Sequence, residues 1–186
     1  MSNREVRDQY SSNGLDVMGT PGPIDTGQST WKLILIAWTA TLGIDFLWHG
    51  GILADIYSHP NPAIIEPEQA FIRIPLGYGS LLIQVVFVYW FFSYIGVNGW
   101  RKGLRFGFMF GGLMGAASVL GQYSILTLEL GLLILWGIAQ VFEYGVMGAV
   151  LGAGSSVASL KSVVKKVIAL VIMALFFGVV VQSIIH

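Results

Sequence analysis

Long apolar runs and short polar stretches alternate along the chain. Five apolar runs stand out, at about residues 31–56, 71–96, 103–122, 128–154 and 163–185. Each supplies the roughly 20 mainly apolar residues that a helix needs to cross about 30 Å of hydrocarbon. Backbone polar groups at that depth must be satisfied internally, so each run is expected to be helical. The pattern predicts an all-α integral membrane protein, a bundle of five transmembrane helices. Only a short connection around Tyr123 to Thr127 separates the third run from the fourth, and joining the two would leave four spans. Residues 1–30 follow no such pattern. Gly, Pro, Ser, Asn and Asp punctuate them, without the apolar run of a signal peptide. They read as a polar N-terminal tail ahead of a transmembrane domain at 31–186.

Charge orients the spans. Arg4, Arg7 and Lys32 precede or open the first run; Arg101, Lys102 and Arg105 lie between the second and third; Lys161, Lys165 and Lys166 lie between the fourth and fifth. The remaining connections hold Asp55, Glu66, Glu68 and Glu129, with Arg73 as their one basic residue. Basic loops stay on the cytoplasmic side, so a five-span chain has its N-terminus in the cytoplasm and its C-terminus outside. A four-span chain would break that agreement. Trp31, Trp90, Trp100 and Tyr123 fall near span ends, where an interfacial aromatic belt belongs. The first outer connection, YSHPNPAIIEPEQA (57–70), reads as an exposed loop, with a lid or docking surface as the alternative.

Composition agrees with this picture and narrows the chemistry. Hydrophobic residues make up 55% and charged residues 11%, against about 25% charged in a soluble domain. The net charge is zero, which gives no ground for a nucleic-acid partner. The chain has no cysteine, which excludes disulfides, thiol catalysis and cysteine-based zinc sites. The motifs GxSxG, HExxH and GxxxxGK[ST] are absent too, so no catalytic residue is assigned and enzyme activity is not expected. Glycine recurs at helical spacing: Gly103, Gly107, Gly111 and Gly115 in one run, Gly148 and Gly152 in another. Such rows allow close helix packing in lipid. They serve either packing within one chain or a face for a homo-oligomer or larger membrane complex.

Polar residues inside the apolar runs are the candidates for function. In GIDFLWHGGILADIY (43–57), Asp45 and His49 stand four residues apart, on one face of an α-helix. Counted at about 1.5 Å per residue, both fall in the outer half of the first span. The same count brings Arg73, Tyr78 and Gln122 to a similar depth, and places Gln84, Gln140 and Glu143 deeper. An Asp at a helix centre costs about 2.5–3.5 kcal/mol on insertion scales, so it must be paired, hydrated or neutralised in the bundle. Arg73 is the expected partner of Asp45. Two readings follow: an internal Asp45–Arg73 clamp, or an outward-facing pocket for a small molecule, proton or metal.

Asp45 and His49 could ligate one metal ion, but a third ligand has to come from another span. Glu143 has the right chemistry, yet the rise count puts it roughly 10 Å too deep. No metal site is therefore expected. Haem is not expected either, because His49 is the one histidine at membrane depth. No cofactor is identified.

The WHG segment (Trp48, His49, Gly50), with GLRFGFMFGGLMG (103–115) and LGLLILWGIAQVFEYGVMGAVLG (130–152), resembles small uncharacterised multi-pass integral membrane proteins of bacteria. The resemblance implies a bacterial inner-membrane protein and carries over no catalytic residue. The chain lacks the proline- and tryptophan-rich patterns of the five-span tryptophan-rich sensory proteins. The expected function is a small membrane protein that binds or moves a small solute or proton, with the lipid bilayer as its partner. The alternative is an accessory or assembly subunit of a larger membrane complex.

Overall fold

The computed structural model describes residues 28–59, 63–65, 67–156 and 160–185. Most of the polar N-terminal tail therefore lies outside the described residues. Among the described residues all regular structure is helical. Helix α1 (Gln28–Asp45) runs directly into a π-helical segment, Phe46–Ile52, followed by a short α2 (Ala54–Ser58). Four long helices complete the chain: α3 (Pro67–Ile95), α4 (Trp100–Tyr123), α5 (Leu130–Ser155) and α6 (Lys161–Ile185). Five stretches are long and apolar enough to cross a membrane: Thr30–Ile52, Glu68–Ile95, Trp100–Tyr123, Leu130–Ser155 and Lys161–Ile184. Many large apolar side chains, among them Phe71, Ile72, Ile83, Leu113 and Ile172, are exposed around the bundle. Aqueous surfaces do not tolerate that much contiguous apolar area, whereas lipid does.

Helix α5 is the centre. Buried residues make up 44% of its spanning window, against 17% for α3 and for α6. Helix α1 lays a stripe of Leu33, Ile34, Ala37, Ala40 and Ile44 inward, at the spacing of one helical face. Much of that stripe joins Met147, Val150 and Leu151 of α5 in the main core, with Val85, Val88 and Phe92 of α3 and Val163 and Val167 of α6. Trp38 Nε1 donates to the Tyr78 carbonyl at 3.0 Å, and the Thr30 and Tyr89 hydroxyls lie 3.2 Å apart. These bonds tie α3 to α1 at two levels.

The glycine rows bring α4 and α5 together. A Cβ added at Gly103 would run into the Gly148 carbonyl oxygen, and one at Gly107 into that of Tyr144. At Gly115 it would lie 2.8 Å from the Gly137 carbonyl oxygen. Only hydrogen fits at these positions. The rows of α4 and α5 therefore pack against each other within one chain, the first of the two uses expected of them. Van der Waals contact between such closely spaced backbones drives association where the hydrophobic effect is absent.

Candidate functional site

The π-helical segment begins at the residue after Asp45 and contains His49. Its widened turn is closed by a bond from the Leu53 amide to the Trp48 carbonyl, five residues back, at 2.8 Å. Gly50 and Gly51 lie inside it; the close approach of α6 explains Gly51, and the Phe46 ring of the same segment explains Gly50. A Cβ at Gly51 would lie 2.8 Å from the Gly178 Cα, and one at Gly50 would lie 2.9 Å from the Phe46 ring. Segments of this kind are rare and occur often at functional sites. Asp45, at the N-terminal cap of the segment, makes no side-chain capping bond.

Asp45 and His49 face α5. His49 Nε2 lies 3.9 Å from Glu143 Oε1. One ligand atom each from Asp45, His49 and Glu143 lies within 4.8 Å of the others. The three line a cavity of about 170 Å³ with Ser118, Gln122, Trp136 and Gln140. Glu143 is only 4% exposed, and no hydrogen bond reaches its carboxyl group among the described residues. Gln140 Oε1 is fully buried without a partner.

The other side of the imidazole is firmly held. His49 Nδ1 and Tyr57 Oη are 2.7 Å apart, and Trp136 Nε1 donates to the same hydroxyl at 2.7 Å. Indole can only donate, so Tyr57 Oη accepts that bond. The hydroxyl can still donate its own proton to Nδ1, or accept one from Nδ1 on its second lone pair. It therefore supports either tautomer of His49. Burial pushes the Tyr57 phenol up to about 12, so it stays neutral at physiological pH.

Several expected residues arrive here and others do not. Asp45, His49, Gln122, Gln140 and Glu143 share the cavity. Arg73 and Tyr78 are exposed on α3, and Gln84, half-buried on the same helix, does not line the cavity. Among the described residues Arg73 makes no ion pair with Asp45, so the expected clamp is corrected. The physical reason is that α3 is peripheral and its first turns are exposed.

The depth assigned to Glu143 is corrected as well. A rise count assumes that all spans begin at one plane. Here Leu132 and Leu133, in the first turn of α5, pack in one cluster with Ile56, Ala63 and Ile64. Helix α5 therefore starts beyond the end of the first span, level with α2 and the loop after it, and this brings Glu143 to the height of His49. Sequence reasoning left Tyr57 and Ser118 out of the site. Tyr57 carried one signal, its place two helical turns beyond His49.

A larger cleft of about 410 Å³ runs along α5 and α6, with Ser156, Ser162 and Lys166 as its polar side chains apart from Trp100. Its walls are mainly aliphatic and it gathers no converging acids or bases, so the chemistry belongs to the smaller cavity. No family model, curated protein or solved structure matches this chain.

Proposed function

We propose that this multi-pass membrane protein binds or moves a proton or small cation through a polar site inside the bilayer. The carrying observation is the convergence of Asp45, His49 and Glu143 on one cavity between spanning helices. Ionisable residues at membrane depth are rare and usually functional. Size limits the occupant: about 170 Å³ is well below the roughly 300–1,000 Å³ of pockets for drug-sized ligands. It suits an ion with a few waters. Charge limits it further, because two carboxyl groups face one imidazole. The positive-inside pattern supports a site that opens toward the outer face of a bacterial inner membrane.

Infrared difference spectra of the protein in liposomes test this reading. Stepping the buffer from about pH 5 to about pH 8, the window in which histidine ordinarily titrates, should change carboxyl bands that Asp45→Asn and Glu143→Gln remove. Bands indifferent to bulk pH would mean a sealed, purely structural cluster.

The accessory-subunit reading keeps one supporting observation, the exposed apolar start of α3 at Phe71, Ile72 and Leu76. Comigration with larger subunits in mild detergent would favour it.

A further inference from the structure

We infer that Asp45, His49 and Glu143 form a binding site for a divalent transition-metal ion, with the Gln140 side-chain oxygen as a fourth donor. The inference rests on the cation reading above and names the class of cation.

Geometry comes first. Metal bonds of about 2.1 Å to nitrogen and oxygen let two ligands of one ion stand at most about 4.2 Å apart. The 3.9 Å between His49 Nε2 and Glu143 Oε1 already satisfies that limit. No pair in the triad exceeds 4.8 Å, so small side-chain rotations complete the set.

The surroundings independently point to a ligand. Glu143 is more than nine-tenths buried, has no hydrogen bond and faces the cavity. The orphaned oxygen belongs to Gln140, a residue of the same cavity lining. The unpartnered Gln140 oxygen is costly, and a cation would satisfy it together with the Glu143 carboxyl, whose ion-pair neighbour is His49 Nε2 at 3.9 Å. Two carboxylates also balance a divalent charge, which favours such an ion inside a bilayer.

The group behind the imidazole has the required chemistry. A metal-bound imidazole characteristically donates its other ring N–H to an oxygen. Tyr57 Oη stands 2.7 Å from Nδ1 and retains a lone pair for that bond while accepting from Trp136. One imidazole with oxygen donors suits zinc, manganese or iron(II), whereas the absence of cysteine disfavours a copper(I) site. A second cleft, of about 500 Å³, is lined by Asp55, His59 and Glu129. It lies at the same end of α5 as the cavity, with Leu132 and Leu135 lining the cleft and Leu133 and Trp136 the cavity. Its acids would concentrate cations beside the site.

The test uses untagged, full-length protein in detergent, stripped with chelator and then equilibrated with zinc(II) or manganese(II). Elemental analysis should find one metal per chain for at least one of the two ions. Glu143→Gln and His49→Ala should lose it while eluting at the wild-type position. Tyr57→Phe keeps every ligand, so it guards against loss by misfolding; its affinity should fall about ten- to a hundredfold, as when the hydrogen-bond partner of a ligating histidine is removed. Metal retained at full stoichiometry in both ligand variants would overturn the inference. So would the absence of any bound metal while the carboxyl bands still respond to pH, and in that case the proton reading would survive alone. Failure of both measurements would remove both.

Discussion

At the scale of single residues, His49 is held on one side and available on the other. Tyr57 and Trp136 fix Nδ1 through one hydroxyl, and Nε2 points toward Glu143. Arg73 has no part in this. Its replacement by alanine should leave folded yield, elution position and the infrared carboxyl bands unchanged, since exposed substitutions away from special features stay within about ±0.5 kcal/mol. A clamp would instead predict collapse of Arg73→Ala, because breaking a buried ion pair costs about 3–5 kcal/mol. The residue types of the site were legible in the sequence: acids, histidine and glutamines inside apolar runs need a reason to be there. Their grouping was only partly legible. Gln122 and Gln140 join Asp45, His49 and Glu143, whereas Arg73, Tyr78 and Gln84 sit on a helix that the cavity does not reach.

At the scale of elements, the α4–α5 pair is the most tightly specified part of the fold. Gly107→Ala drives a methyl group into the Tyr144 carbonyl, which belongs to a central helix and cannot move aside. Thermal unfolding in detergent should register a loss of about 1–3 kcal/mol, the usual range for overpacking. Gly112→Ala is the matched control. It lies on the same helix with nothing within 4 Å of the added carbon, and alanine favours helix over glycine. That variant should unfold no earlier than wild type. Apolar periodicity and length made the five long helices readable, but neither reports how far one helix is displaced along its axis relative to another. The cluster of Leu128, Leu132 and Leu133 with Ile56, Ala63 and Ile64 sets that displacement, and it joins residues far apart in sequence. The π-helical turn was unreadable for a related reason. It depends on α6 pressing Gly178 against Gly51 as well as on the local Gly-Gly pair.

At the scale of the whole molecule, the direction in which the bundle faces decides which side supplies the site. The absence of cysteine makes the experiment direct. Ser58, Asn98, Ser124 and Ser156 are exposed in connections or beside helix ends and accept single cysteines. With the N-terminus inside, Ser58→Cys and Ser124→Cys should react with a membrane-impermeant maleimide on intact spheroplasts. Asn98→Cys and Ser156→Cys should react only after permeabilisation. The reverse pattern would place the acidic cleft of Asp55, His59 and Glu129 in the cytoplasm and reverse the direction from which a cation reaches the site.

The contact of Gly51 with Gly178 also bears on the order of assembly. Helices α4 and α5 are neighbours in the chain, joined by a short connection, so their glycine faces can zip together soon after both have been made. Asp45 and His49 are synthesised long before, but the surface that packs on their π-helical turn belongs to the last helix. A nascent chain halted before Gly178 already contains every proposed ligand, yet it lacks the backbone against which that turn is packed. The turn that carries His49 therefore gains its packing against Gly178 only after every proposed ligand has been made.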